Sequence, residues 1–360
     1  MDRPIGTDAV RHLRPYAIPS TARSLWQVSA TGAAFAALFC GALILAEKVG
    51  YLAAFAVAPL AGLFLLRLFI IQHDCGHYSF FRQRWACNLV GRTIGVITLT
   101  PYHWWKREHD WHHATTGNLS RRGRGDIKTL TVAEYRQLSR LRRWGYRLYR
   151  HPVVLFLIGP PYQFIIRHRL PIGLQRGDTR SFNSIMGTNL AVAALVFCGG
   201  TLFGYERFLT VALAVTVVAD VAGVWIFFVQ HQFETTYWQR QSHWRFVPAV
   251  LKGCSCYRLP KPLEWVTGWI GYHHIHHLAP RIPNYRLRAA HQSLGHLLPA
   301  TEFGLRAGFM AARLALWDED RQRLVPFKAV FQILTWTRTL SREAPSGPPW
   351  CRPQARSSRA

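Results

Sequence analysis

Four stretches of this chain are too long and too apolar to belong to anything but a membrane-spanning or deeply buried helix. Residues 28–46 run 19 positions without a charge, and 50–72 run 23 with only Arg67. Residues 185–204 run 20 without a charge, and 208–230 run 23 with only Asp220. At 1.5 Å per residue these runs reach about 28–34 Å, which matches a hydrocarbon core of about 30 Å. In lipid the backbone must satisfy its own hydrogen bonds, so each run is expected to be a helix. Only Glu47, Lys48 and Val49 separate the first two runs, and only Tyr205, Glu206 and Arg207 the last two. Two tight hairpins follow. Arg67, near the end of its run, is expected to snorkel to the headgroups. Asp220 lies mid-membrane and is expected to face the bundle interior with a polar partner.

Charge sets the orientation. The hairpin turns are neutral, whereas residues 73–183 hold 19 Lys and Arg against 6 Asp and Glu. Positive segments stay on the cytosolic side, so this segment, both termini and the long region after residue 230 are expected there. The net charge of +26 invites a nucleic-acid reading. Basic segments flanking apolar runs are explained instead by topology and by an anionic leaflet, and no nucleic-acid partner is expected. The seven cysteines form neither a disulfide framework nor a paired zinc motif and are expected to be reduced. Residues 1–26 hold no apolar signal core and are expected to remain as a cytosolic tail. Residues 27–340 are expected to form the membrane domain, and 341–360, rich in Pro, Ser and Arg, a disordered tail. The semi-apolar stretches 86–102 and 153–166 are expected to be interfacial or embedded helices.

The chemistry is carried by histidine. Nine of the 17 histidines fall in three five-residue windows, where random placement would put about 0.7. The first window is HDCGH (73–77), whose His73 and His77 are spaced i, i+4 and begin where the second run ends. The second, HDWHH (109–113), and the third, HHIHH (273–277), both carry histidine at i, i+3 and i+4. In a helix each set shares one face. Eight imidazoles, namely His73, His77, His109, His112, His113, His273, His276 and His277, can therefore converge on one place. His231 follows the fourth run directly and joins them on the same membrane face. His274 is out of phase with its neighbours. Nine neutral imidazoles exceed the needs of one four-coordinate zinc and suit two metals with four or five nitrogens each.

With these motifs the sequence resembles the integral-membrane fatty acid desaturases, whose three histidine boxes follow the patterns HxxxH, HxxHH and HxxHH. The stretches HHATTGNL (112–119), RGD (124–126) and HQFETTYW (231–238) are similar to the acyl-lipid omega-6 (Δ12) branch of bacteria and plastids. The resemblance spans roughly residues 65–290. It implies an all-α polytopic membrane fold, four transmembrane helices in two hairpins, with a cytosolic helical cap holding a di-metal site. It further implies two non-haem iron ions held by the eight box histidines and His231, O₂ as co-substrate, and a membrane acyl lipid as substrate. The location it implies is a bacterial inner membrane. An external electron donor is implied too, a ferredoxin or a cytochrome b5-type protein, and it is expected to be a separate chain.

The residues add expectations of their own. Metal-bound imidazoles usually donate their second N–H to a carboxylate or carbonyl, and Asp74, Asp110, Asp126 and Glu234, with Glu108 and Glu264, are the nearby acids. They serve either as such orienting partners or as counter-charges on a basic surface. Tyr102, Trp104 and Trp105 either line the acyl tunnel or form an interfacial aromatic belt. Three rival readings remain: a hydroxylase or carotenoid ketolase on the same scaffold, a membrane zinc hydrolase, and a metal carrier. The hydrolase would leave half of the histidines idle, and a carrier would place them within the spans or on both faces. Spacing alone does not separate desaturation from hydroxylation, and the position of the new double bond depends on tunnel depth rather than on any motif.

Overall fold

A computed structural model describes residues 5–294 and 300–329. His296 and the tail expected over 341–360 lie outside the described residues, as does the end of the membrane domain from 330. Four helices are long and apolar enough to cross a membrane: Thr21–Lys48, Tyr51–Gly76, Thr179–Phe203 and Tyr205–His231. With 25–28 residues they are about 38–42 Å long and overrun the hydrocarbon core. The first begins at Thr21, inside the expected tail, because the Ser20 hydroxyl accepts the Arg23 backbone N–H at 3.5 Å and caps the helix there.

The two hairpins turn on glycines with positive φ, Gly50 at 120° and Gly204 at 84°. The charges of the two turns bond across to each other. Arg207 reaches Glu47 at 2.8 Å, and the Tyr51 hydroxyl donates to Glu206 at 3.1 Å. The second span is the most enclosed of the four, and the first and third expose most of their apolar surface. Ile44, Leu190 and Leu202 are among these exposed residues, as a face turned to lipid requires.

The second and fourth spans pack at glycine distance. A Cβ on Gly62 would stand 2.6 Å from Val218 Cβ and 2.9 Å from the Val215 carbonyl oxygen. Small residues allow such approach between apolar helices, where no hydrophobic drive separates protein from lipid. This contact sets the relative height of the two spans, and with it the height of the histidines at their ends.

Apart from helix Ile5–Leu13 and a short turn Arg14–Ala17 before the first span, the remaining described elements lie between and after the hairpins. Helix Arg84–Ile97 occupies the first semi-apolar stretch, and the second, Val154–Ile166, is helical with two widened π turns. Pro160 and Pro161 sit between those turns. Each lacks an N–H and crowds the carbonyl four residues back, so the helix is forced wide. Strands are two or three residues long and serve as clasps. Leu130–Thr131 pairs in parallel with Leu316–Asp318, which pairs antiparallel with Arg323–Val325, and Cys256–Tyr257 pairs in parallel with Glu302–Phe303.

Both expectations for charge inside the spans need correction. Arg67 does not snorkel. It is 4% exposed, stacks at 4.0 Å over the Trp265 ring, and donates to Thr31 Oγ1 at 3.3 Å and to the Trp265 carbonyl. The cap folds back over this end of the bundle and supplies an aromatic face and a carbonyl, so the guanidinium is held inside. Asp220 faces the interior as expected, but no polar partner meets it among the described residues.

Gly62→Val is expected to destabilise the solubilised protein by about 1–3 kcal/mol through overpacking of the seam. Gly41→Val, where a Cβ meets nothing within 4 Å, is expected to be silent. Thermal melting of the two variants in the same detergent checks this.

Candidate metal centre

The histidines come from four elements. His73 lies in the last turn of the second span and His77 follows its end. Helix Tyr102–Thr115 carries His109, His112 and His113, the fourth span ends on His231, and helix His273–Leu278 carries His273, His276 and His277. The helices are held in register by specific bonds. The Tyr102 hydroxyl donates to the Cys75 carbonyl at 2.7 Å and ties the second box to the first. Before the third box Gly268 adopts a φ of 60°, with its backbone so close to the second span that a Cβ would lie 2.8 Å from Ile70. Only glycine permits both at once.

All nine imidazoles converge, in two groups. His73, His77, His109, His113 and His276 form one, and His112, His231, His273 and His277 the other; within each, ligand atoms lie within 4.8 Å of one another. Nε2 atoms face each other at 3.0 Å for His77 and His109, 3.0 Å for His113 and His276, 3.0 Å for His112 and His231, and 2.9 Å for His231 and His273. Burial, reinforced by neighbouring imidazoles, holds His77, His109, His112, His113, His273, His276 and His277 well below the usual imidazole value. They are neutral, the form that binds metal. Both ring nitrogens of His277 are buried without a hydrogen-bond partner, as is Nδ1 of His112, His113, His273 and His276. Buried polar atoms are rarely left so. A pair of cations, one per group, gives the converging lone pairs the partner the protein does not supply, and an all-nitrogen set of five and four suits borderline transition metals.

The acids divide. Asp74 is buried beside the first group, with Oδ1 at 3.3 Å from His73 Nδ1. Its Oδ2 accepts from the backbone and side-chain nitrogens of Asn284 at 2.6 and 2.8 Å, and Asn284 in turn accepts from Gln27 of the first span at 2.9 Å. Asp110 and Glu234 pair with Lys106 at 2.5 Å and Arg323 at 3.1 Å rather than with a box imidazole. Asp110 is out of phase with His109 and His113 on its helix and points outward, and Glu234 follows the end of the fourth span in an exposed turn. Asp126 accepts from the Gly123 N–H at 3.0 Å, and burial pushes its carboxyl up to about 7. Glu108 is held down by Arg124 at 2.8 Å and Arg107 at 3.0 Å, against the opposing effect of burial. His231 Nδ1 faces the Gly253 carbonyl at 3.3 Å. His274 sits outside both groups and bonds to His291 at 3.2 Å.

A cavity of about 910 Å³ leads from the histidines into the bundle. His73, His109 and His273 form one part of its wall, and Leu65, Phe69, Ala219 and Val224 of the second and fourth spans another. Trp104 and Trp105 line it, Trp105 stacked on the His109 ring with centroids 4.7 Å apart, whereas Tyr102 is buried in its bond to Cys75. Ile158, Tyr162 and Ile172 line it too and are exposed, so the cavity opens among apolar residues. Gln230, Arg167 and His168 also line the cavity, and no sequence motif marks them. They are single polar positions outside the boxes: Gln230 is turned inward by the fourth span, Arg167 and His168 by the connection between the hairpins.

Helices of spanning length that bring nine imidazoles to one end, above an apolar cavity, define a histidine-rich integral-membrane protein able to hold metal. The sequence profile of the fatty acid desaturase family matches residues 50–308. A protein named "Fatty acid desaturase" from Bacillus subtilis is 41% identical over 323 residues, 90% of this chain and 91% of that one. From Synechocystis sp., an "sn-1 acyl-lipid omega-3 desaturase (ferredoxin)" is 30% identical over 241 residues, 64% of each chain. An "sn-1 oleoyl-lipid 12-desaturase" of the same organism is 27% identical over 252 residues, 65% of this chain and 66% of that one. The chain belongs to the fatty acid desaturase family and is an oxidoreductase.

His276→Ala, in the five-histidine group, and His112→Ala, in the four-histidine group, are each expected to cost the purified protein at least one of two bound metals. Asp74→Asn is expected to keep both sites but weaken metal retention about 10–100-fold under chelator challenge. Elemental analysis against protein concentration measures all three.

Proposed function

We propose that this protein is an O₂-dependent di-iron desaturase that introduces a cis double bond into the acyl chains of membrane lipids, at the Δ12 (omega-6) position. The observation that carries this reading is the joining of two all-histidine groups to an apolar cavity that opens toward lipid. The nine histidines, five and four, hold the two irons, and Asp74 orients His73. When bound, the iron pair supplies the O₂ activation needed to take hydrogen from an unactivated methylene, which no side chain can do. The chain's own residues do the rest. An acyl tail enters past Ile158, Tyr162 and Ile172 and lies between the second and fourth spans. Trp104, Trp105 and Phe69 keep water from the reacting carbons and fix one carbon–carbon bond near His73, His109 and His273. The Arg124–Glu108 pair and Arg167 mark the polar part of the cavity, suited to the ester and headgroup. Relatives named for acyl lipids support the substrate class, and the stretches 112–119, 124–126 and 231–238 support Δ12.

The histidine end faces the cytosol of a bacterial inner membrane, an orientation supported by the excess of basic residues between the hairpins. Electrons come from a separate acidic carrier, a ferredoxin or a cytochrome b5-type protein, steered by the basic cytosolic surface. The relatives whose names specify ferredoxin favour the former. Residues 27–340 act as one membrane desaturase domain.

The test is the fatty acid profile of a host that contains oleate-type lipids and a ferredoxin system, expressing either the intact chain or His276→Ala. A new diene confined to the intact chain is expected. A hydroxy or keto product instead would reassign the chain to another reaction on the same scaffold, and zinc in place of iron in the purified protein would refute the cofactor.

A further inference from the structure

One carboxyl on the cavity wall is both unused in the reaction above and without a polar partner. Asp220, on the fourth span, lines the cavity and is 6% exposed. No hydrogen bond or ion pair reaches its carboxyl among the described residues, and Oδ2 is fully enclosed. It lies eleven residues before His231, about 16 Å along the helix from the histidines. Thr216, one turn further from them on the same face, also lines the cavity and is 9% exposed. Thr216 is the fourth-span cavity residue farthest from the metal centre, Asp220 stands one turn nearer, and the second span lines the same cavity with Leu65, Leu66 and Phe69.

A buried polar group without a partner destabilises a fold. One placed on a cavity wall, rather than in a helix seam, is a group that meets ligand. The ligand here is an acyl chain, and a methylene pressed on a carboxyl leaves that carboxyl unsatisfied. Apolar contact is favourable along Leu65, Leu66, Phe69 and Val224 and ceases to be so where the Asp220 carboxyl and the Thr216 hydroxyl begin. We propose that Asp220, with Thr216, forms a polar floor to the acyl cavity and is a specificity-determining residue: it limits how much chain extends past the metal centre, and so sets both the preferred chain length and the bond that is attacked. The inference rests on the reading of the cavity as an acyl site.

The test uses the purified full-length protein. Affinities for saturated phosphatidylglycerols of graded acyl length are measured by displacement of a fluorescent acyl probe. The wild type is expected to show a length optimum. Asp220→Leu, which makes the floor apolar, is expected to move that optimum by two carbons or more, or to change the affinity ratio of flanking lengths at least fivefold. Asp220→Asn, polar and of equal size, is expected to keep the wild-type optimum. In a host, the double-bond positions made by Asp220→Leu are expected to shift in step, with metal content unchanged. A length profile for Asp220→Leu within twofold of wild type at every length would overturn the proposal. Should that variant fail to accumulate, Thr216→Val carries the same expectation and the same refutation. Length-dependent binding without any unsaturated product in the host would refute the desaturase reading and leave the floor standing, so the two failures are distinguishable.

Discussion

Nine converging imidazoles, seven of them nitrogen to nitrogen at about 3 Å, are the constraint on which the rest of this structure depends. An imidazole lone pair left facing other lone pairs in a buried site is costly, and a hydrogen bond satisfies only some of them. Each of the two groups could hold a cation, which would give those lone pairs a partner. Each element of the cap can be understood as holding one ring in place. Asp74, Asn284 and Gln27 run from His73 to the first span, and Tyr102 fastens the second box to the carbonyl of Cys75 beside the first.

The membrane contributes the other half of the device. Parallel second and fourth spans bring His73, His77 and His231 to one height, and the glycine-distance seam at Gly62 fixes that height. The same two spans then diverge enough to leave an apolar cavity whose wall includes the rings of His73, His109 and His273. A substrate without charge or hydrogen-bonding groups along its reacting part offers an enzyme only shape and dryness to hold. Specificity must then come from where the apolar wall starts and stops, which gives isolated polar side chains on that wall an influence out of proportion to their number.

Much of this was legible in the sequence because the two strongest physical signals, uninterrupted apolar length and repeated histidine spacing, are local. The four spans, the hairpin turns and the separation of His274 from its neighbours all follow from counting along a helix. The expectations that needed revision concern partners distant in sequence. Arg67 was read against lipid because its nearest sequence neighbours are apolar, yet Trp265 from the cap covers it. Asp110 and Glu234 were grouped with Asp74 by proximity to the boxes, and helix phase in one case and a turn in the other direct them to Lys106 and Arg323.

The sequence by itself determined the membrane-spanning helices, the three boxes and the gathering of their histidines on one face, since each depends on periodicity within a single segment. Only the tertiary structure decided how nine imidazoles divide into five and four, which carboxylate reaches a ring, and how far the cavity runs before it meets Asp220. Those depend on the height and rotation of segments separated by up to two hundred residues, and that geometry is set by packing contacts such as Gly62 on Val218 that no local pattern encodes.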